Sequence, residues 1–234
     1  MEARITEVFY SLSGEGQTTG IPTIFIRFAG CSLRCGKDDK RKMWCDTGYS
    51  LGFETGELKN LTEILEYIEI TNPEAQIILT GGEPLEGEEK RNFCAVLSDR
   101  VWNKRHKSKF QSVRLETSGK EDIRNLPYNV FTLDYKLPGS GMEKFMLEEN
   151  FHFLRKRENP LDEVKFVVRD KVDFDRAIEI IEKFSFENTH LLFSPVKDEL
   201  EPSLLAEWVK NSKLPDVRLS LQIHKIIWGE RRGV

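Results

Sequence analysis

Four cysteines stand in this chain, and three of them, Cys31, Cys35 and Cys45, fall within fifteen residues. Where thiols stay reduced, such clustering signals metal binding or thiol chemistry rather than disulfides. Three thiolates on one loop can hold three irons of a [4Fe–4S] cluster and leave the fourth iron open to an outside ligand. A structural zinc site needs four protein ligands, so zinc would have to recruit Cys94 or a distant histidine. Spacing by itself admits either centre. Cys94 lies one helical turn before Leu97, which suits a buried structural thiol.

Other polar groups cluster where short apolar runs end. Thr80-Gly81-Gly82-Glu83-Pro84 follows the run Gln76 to Thr80, and Glu116-Thr117-Ser118-Gly119 follows Val113 to Glu116. Asp134-Tyr135-Lys136 follows Val130 to Asp134, and Ser194-Pro195 follows Leu191 to Ser194. Gly30-Cys31 follows Pro22 to Phe28, and Glu163 to Arg169 is a further run. Each reads as a strand. Taken without the cysteines, a Gly-Gly pair describes an ordinary strand-to-helix turn.

Between these runs lie helical stripes. Leu61, Ile64, Leu65 and Ile68 recur at helical spacing behind a cap at Asn60 with Glu63 three residues on. Phe93, Val96 and Leu97 mark a second helix, and Phe174, Ala177, Ile178 and Ile181 a third, capped by Asp173. Pro202 to Lys210 is a fourth, with proline in its first turn. Strands alternating with helices predict an α/β fold with parallel strands and crossover helices. A complete eight-unit barrel takes ~250 residues. The 234 residues and about six strands here predict an incomplete (β/α) barrel. Chemistry in such folds sits at the C-terminal strand ends, where these polar clusters fall.

Net charge is −4, from 35 Lys and Arg against 39 Asp and Glu, which gives no global attraction to nucleic acid or an anionic membrane. The basic stretches Lys104 to Lys109 and Arg155 to Arg157 read as solvated surface. No apolar run approaches the ~20 residues of a membrane span, and no secretory signal is visible at the N-terminus. These features predict one soluble, cytoplasmic domain over residues 1–234, with a cysteine loop at 30–48 and a substrate-closing segment at 216–234.

Three cysteines after a strand, followed by Gly81-Gly82-Glu83-Pro84 after the next, resemble the radical S-adenosylmethionine (SAM) superfamily. The usual spacing there is C-x3-C-x2-C; here the nine residues Gly36 to Trp44 separate the second and third cysteines. Most of the extra residues are charged, namely Lys37, Asp38, Asp39, Lys40, Arg41 and Lys42, and read as a solvated bulge. The flanks narrow the likeness to the 7-carboxy-7-deazaguanine synthase family. Tyr10 to Gly16 is similar to its S-x-Q-G-E-G signature, with Ser13 in place of glutamine. Phe25 to Cys35 resembles F-x-R-x-A-G-C-x-L-x-C, Cys45-Asp46-Thr47 its C-D-T, and Gln222-Ile223-His224-Lys225 its terminal Q-x-H-K. Insertions in the cysteine loop also occur within that family.

The resemblance implies a carbon–nitrogen lyase that turns 6-carboxy-5,6,7,8-tetrahydropterin into 7-carboxy-7-deazaguanine and ammonia, on the route to queuosine and other 7-deazapurine nucleosides of tRNA. It implies that Cys31, Cys35 and Cys45 hold the cluster and that Gly81, Gly82 and Glu83 meet the methionine amino group of SAM. Glu116 and Ser118 would bind its ribose or carboxylate, with Asp46 and Lys136 nearby. Leu12, Gly14, Glu15, Arg27, Thr80, Gln222 and His224 would take the pterin, and Thr47 would stand beside a magnesium ion. Arg27 also fits an outward position on an alternating strand, and Glu15 a solvated glycine turn. A ferredoxin or flavodoxin as reductant and a homodimeric state are also implied. Two rivals share parts of the pattern: another radical SAM enzyme, such as a glycyl-radical activase, and a zinc-stapled binding module.

Overall fold

The computed structural model describes residues 1–37, 43–105, 108–157, 159–186 and 188–234. Of the charged bulge expected at Lys37 to Lys42, residues 38–42 lie outside them. In chain order the elements are β1 (Glu2–Leu12), β2 (Pro22–Phe28), β3 (Glu57–Asn60), α1 (Leu61–Thr71), β4 (Gln76–Gly81), α2 (Glu88–Lys104), β5 (Val113–Thr117) and β6 (Asn129–Tyr135). They continue with α3 (Glu148–Lys156), β7 (Glu163–Val168), α4 (Lys171–Phe184), β8 (His190–Pro195), α5 (Pro202–Ser212), β9 (Val217–Leu219) and α6 (Ile223–Trp228).

The strands form one nine-stranded sheet in the order β3-β1-β2-β4-β5-β6-β7-β8-β9. From β2 through β9 every neighbour is parallel. The six expected strands are present. Short β9 extends the parallel run, and β1 and β3 add an antiparallel edge. The sheet does not close, so the fold is an incomplete (β/α) barrel.

Period-two alternation assigns each strand residue a face. Ile24, Ile26 and Phe28 of β2, Leu115 of β5, Phe131 and Leu133 of β6, Val164 and Phe166 of β7 and Phe193 of β8 are buried in one core with the helices. Phe93 of α2, Phe151 of α3 and Phe184 of α4 pack into the same layer. Burying each such ring stabilises the fold by about 1.5–3 kcal/mol. The alternate residues turn inward and line a cavity: Arg27, Thr80, Arg114, Glu116, Thr132, Asp134, Glu163 and Lys165. This inner face is polar because it surrounds a site and not a packed barrel core.

β1 needs a correction of face partway along. Ala3 and Ile5 are in the core, but a bulge shifts the register between Ile5 and Glu7. One extra residue in an antiparallel pair flips every later side chain. Glu7 and Phe9 therefore face the cavity, and Val8 packs on the core.

Capping follows expectation for α1, where Glu63 N donates to Asn60 Oδ1 at 3.0 Å and Asn60 Nδ2 donates to Glu63 Oε1 at 2.8 Å. For α4 the cap is Asp170, not Asp173: Asp173 N donates to Asp170 Oδ1 at 3.1 Å. Asp173 is buried and accepts from Gly139 N and Arg169 N instead. The basic stretches are not uniformly solvated either. Arg105 is buried on Ala75 O at 2.7 Å, and Arg157 turns inward onto Asp162 at 2.8 Å. No described helix is long and apolar enough to cross a membrane.

Candidate active site

The cavity opens at the C-terminal ends of the parallel strands, with a volume of about 300 Å³. That is the size class of a small-molecule site. Cys31, Cys35 and Cys45 all line it and are free thiols. They share a small apolar cluster with Leu33, Leu51, Met43, Met142 and Met146, and Met146 also packs against the main core. The long spacing before Cys45 does not separate the thiols, because Trp44 N donates to Cys35 O at 3.2 Å. Trp44 also packs on Gly36, where an added Cβ would lie 2.5 Å from its ring. The neck of the insertion is thereby closed.

Burial pushes the Cys31 thiol up to about 12 and also raises Cys35. A thiolate at either position is one that bound metal would stabilise. An iron–sulfur cluster distributes its thiolates over different irons, and three thiols around one cavity fit that arrangement.

Gly81 and Gly82 are glycines for a steric reason. A Cβ on Gly81 would lie 2.4 Å from Phe28 N, and one on Gly82 would lie 2.4 Å from Gly30 O. Gly82 N donates to Phe28 O at 2.9 Å and Glu83 N to Gly30 O at 2.8 Å, which zips this turn to the one carrying Cys31. Both glycines line the cavity, but Glu83 does not. Its side chain turns inward, 1% exposed, and accepts from Thr117 Oγ1 at 2.7 Å, Ser118 N at 2.8 Å and Leu85 N at 3.1 Å. The backbone of this turn, not the Glu83 carboxylate, faces the cavity.

Across the cavity, residues 13–18 form a turn anchored by distant side chains. Ser13 Oγ donates to Glu15 O at 3.2 Å, and Gly16 N to Ser220 Oγ at 3.2 Å. Gln17 N donates to Glu163 Oε1 at 2.6 Å. Glu163 is itself buried against Arg114 Nη1 at 2.8 Å and accepts from Thr132 Oγ1 at 2.6 Å. Glu15 forms an ion pair with Lys165 and accepts from Gln222 Nε2 at 2.6 Å. Burial opposes its charge, but Lys165 and the Gln222 amide more than offset this, so its carboxyl lies below the usual range. Lys165 is held above the usual lysine range: burial works against its charge, and Glu15 and Asp134 outweigh it. Glu116 goes the other way, raised by burial and by repulsion from Glu15.

α6 docks on this turn. Ile223 N donates to Gly14 O at 3.0 Å, and a Cβ on Gly14 would collide with His224 Nδ1 at 2.0 Å. Gln222 Nε2 also donates to Asp46 Oδ2 at 2.7 Å, so one amide spans two carboxylates without itself lining the cavity. Arg27 faces the cavity and pairs with Glu7 at 2.8 Å. Tyr49 OH donates to the same Glu7 at 2.7 Å, and Arg232 stacks on the Tyr49 ring at 3.7 Å. Lys136 pairs with Asp134 at 2.5 Å, and Thr47 Oγ1 lies 3.5 Å from both Cys45 Sγ and Gly81 O.

The structure thus brings Leu12, Gly14, Glu15, Arg27, Cys31, Cys35, Cys45, Asp46, Thr47, Thr80, Gly81, Gly82, Glu116, Ser118, Lys136 and His224 to one cavity, and leaves Glu83 and Gln222 just outside. Sequence reasoning missed Glu7, Arg114, Glu163 and Lys165. The last three carry a usable signal: in Val113-Arg114-Leu115-Glu116 and Glu163-Val164-Lys165-Phe166 charged and apolar residues alternate within strands buried on both faces. Glu7 carries none, because the bulge decides its face.

No protein-family model matches the chain. It is 51% identical to the 7-carboxy-7-deazaguanine synthase of Leptospira interrogans, over 100% of this chain and 99% of that protein. It is 38% identical to the protein of the same name from Clostridium acetobutylicum, over 100% of both. Among solved structures, QueE from Escherichia coli superposes with a TM-score of 0.68 over 95% of this chain and 94% of that one. At 24% identity this likeness establishes the fold.

Proposed function

The chain belongs to the 7-carboxy-7-deazaguanine synthase family, and from that premise we propose how its cavity divides between cofactor and substrate. It is a radical SAM enzyme with a [4Fe–4S] cluster, converting 6-carboxy-5,6,7,8-tetrahydropterin to 7-carboxy-7-deazaguanine and ammonia. When bound, the cluster and SAM would supply the radical chemistry that starts the rearrangement of the pterin.

Cys31, Cys35 and Cys45 hold the cluster in this reading. The Gly81-Gly82 backbone receives the methionine end of SAM, where a side chain would block approach. Glu116, which burial and repulsion from Glu15 raise above the ordinary carboxylate value, hydrogen-bonds the ribose of SAM. Ser118, Asp46 and Lys136 complete that side. Glu83 acts from behind by fixing Thr117 and Ser118.

The pterin takes the other wall. Glu15, kept ionised by Lys165 and Gln222, accepts from the amino-pyrimidinone edge. Arg27, oriented by Glu7, binds the substrate carboxylate. Leu12, Gly14, Thr80 and His224 close around the ring, and residues 216–234 shield it from water. Thr47 would offer a hard oxygen to a magnesium ion. A ferredoxin or flavodoxin as electron donor, a homodimer and a cytoplasmic setting belong to the same proposal.

The supporting observation is the convergence of three thiols, the Gly81-Gly82 turn and the Glu15–Lys165–Gln222 set on one cavity. Anaerobic reconstitution with iron and sulfide, followed by EPR with and without SAM and turnover of the tetrahydropterin, tests it. A reduced-cluster signal that SAM shifts, together with product formation, is expected. A colourless protein retaining one zinc would overturn it.

A further inference from the structure

Behind the cluster loop lies a charge that the reaction above does not use. Lys90, in the first turn of α2, is 8% exposed. Its Nζ donates to Ala29 O at 3.0 Å, Gly30 O at 3.0 Å and Glu83 O at 2.7 Å. An ammonium has three N–H donors and no acceptor, and three carbonyls receive them here. A neutral amine would turn a lone pair toward one of those oxygens, so the geometry requires the charged form. Burial disfavours that charge and lowers the Lys90 ammonium below the ordinary lysine value, with Glu83 the first of the groups that oppose the shift.

The three carbonyls belong to the two turns that matter most. Ala29 and Gly30 lead directly into Cys31, and Glu83 closes the Gly81-Gly82 turn. Neighbouring contacts reinforce the junction: Ser32 N donates to Glu86 Oε2 at 2.8 Å, and Lys120 Nζ bridges Ser32 Oγ at 2.8 Å and Glu86 Oε1 at 2.9 Å. These are exposed or part-buried groups. Lys90 supplies the buried cation at the same junction.

We infer that Lys90 is a positioning residue for the cluster, fixing the Cys31 turn against the SAM-facing turn and placing one positive charge behind the first thiolate. The inference rests on the three cysteines holding a [4Fe–4S] cluster. A buried cation next to a cluster favours the reduced, more negative state, because cluster potential follows nearby charge and hydrogen bonding.

The test compares Lys90→Gln, Lys90→Arg and wild type, each reconstituted anaerobically. Midpoint potential is read by EPR-monitored redox titration, and SAM affinity by the cofactor-induced EPR change. Lys90→Gln keeps donors without charge, and it should move the potential to more negative values and weaken SAM binding about tenfold, the loss of one charge-assisted hydrogen bond. Lys90→Arg should stay near wild type in potential. Arg105→Met provides the control, since Arg105 is a buried cation on backbone carbonyls at the opposite end of β4. It should lower the melting temperature and leave both cluster readings unchanged.

A Lys90→Gln protein with wild-type potential and SAM affinity would overturn the proposal, as would an Arg105→Met protein that shifts them equally. If Lys90→Gln does not fold, Lys90→Arg decides: folded by circular dichroism, it must load the cluster at near wild-type potential, and failure refutes the role of the charge. A wild-type chain that takes up no cluster would refute the assignment of the cysteines first, and the role of Lys90 with it.

Discussion

The wall built by the turns after β2 and β4 is joined largely by backbone, whereas the wall built by residues 13–18 and α6 is joined by charged side chains. In the first, Gly82 N, Glu83 N and the Lys90 ammonium bind carbonyls within one local junction. In the second, Glu15 meets Lys165 from β7 and Gln222 from beyond β9, and Gln17 meets Glu163. Backbone pairing permits little adjustment, whereas side-chain pairing can be re-tuned residue by residue, a contrast that matches the proposed division between cofactor and substrate.

Removing a charge behind the second wall should have the largest effect. Arg114→Met strands Glu163, and breaking a buried pair costs about 3–5 kcal/mol. Urea unfolding should show this loss; a change under ~1 kcal/mol, the scale of a surface pair, would mean that Glu163 has another adequate partner. The matching change on the first wall is Gly82→Ala. Its Cβ meets Gly30 O at 2.4 Å, a backbone atom that cannot step aside alone. Such overpacking costs about 1–3 kcal/mol. The SAM-induced EPR change should vanish, and a retained signal would show that this turn does not receive the cofactor.

Lys165→Met separates the walls functionally. The KM for pterin should rise about tenfold, as for one lost charge-assisted hydrogen bond, with SAM affinity unaltered. Equal losses in both would collapse the distinction between the walls.

The smallest effect is a pH dependence of α6 docking. Burial lowers His224 below its ordinary value of 6.5, with Lys225 and Lys165 acting in the same direction and Glu15 and Asp46 opposing. The undocked imidazole therefore binds a proton that the docked one resists. Docking is full above about 6.5 and weakens as pH falls through that value toward the depressed one. Protection factors for amide exchange at residues 222–234, taken against the intrinsic rate at each pH, should fall on acidification. Unchanged protection would remove His224 as the cause.

Local motifs made the first wall readable. The Cys31–Cys35–Cys45 set, the Gly81-Gly82 turn and the strand ends are contiguous segments whose residue types are dictated by thiolate chemistry and close backbone approach. The insertion before Cys45 reads as a bulge, and Trp44 shows how its ends stay together: the neck closes by one backbone bond and one ring packed on Gly36. Glu83 shows the limit of motif reading. Its type was evident, but only the neighbouring turn after β5 decides that the carboxylate points inward.

The sequence by itself determined the alternation of strands and helices, the capping of α1, the cysteine loop and the polar strand ends. These follow from periodicity and from chemistry local to a few residues. Tertiary structure decided which charges meet. Lys165 faces Glu15 because β7 presents that residue inward, Glu7 reaches Arg27 because of a one-residue bulge, and Gln222 spans Glu15 and Asp46 because α6 folds back over Gly14. Each pairing depends on register and strand order across the whole sheet, and no local period of the chain encodes them.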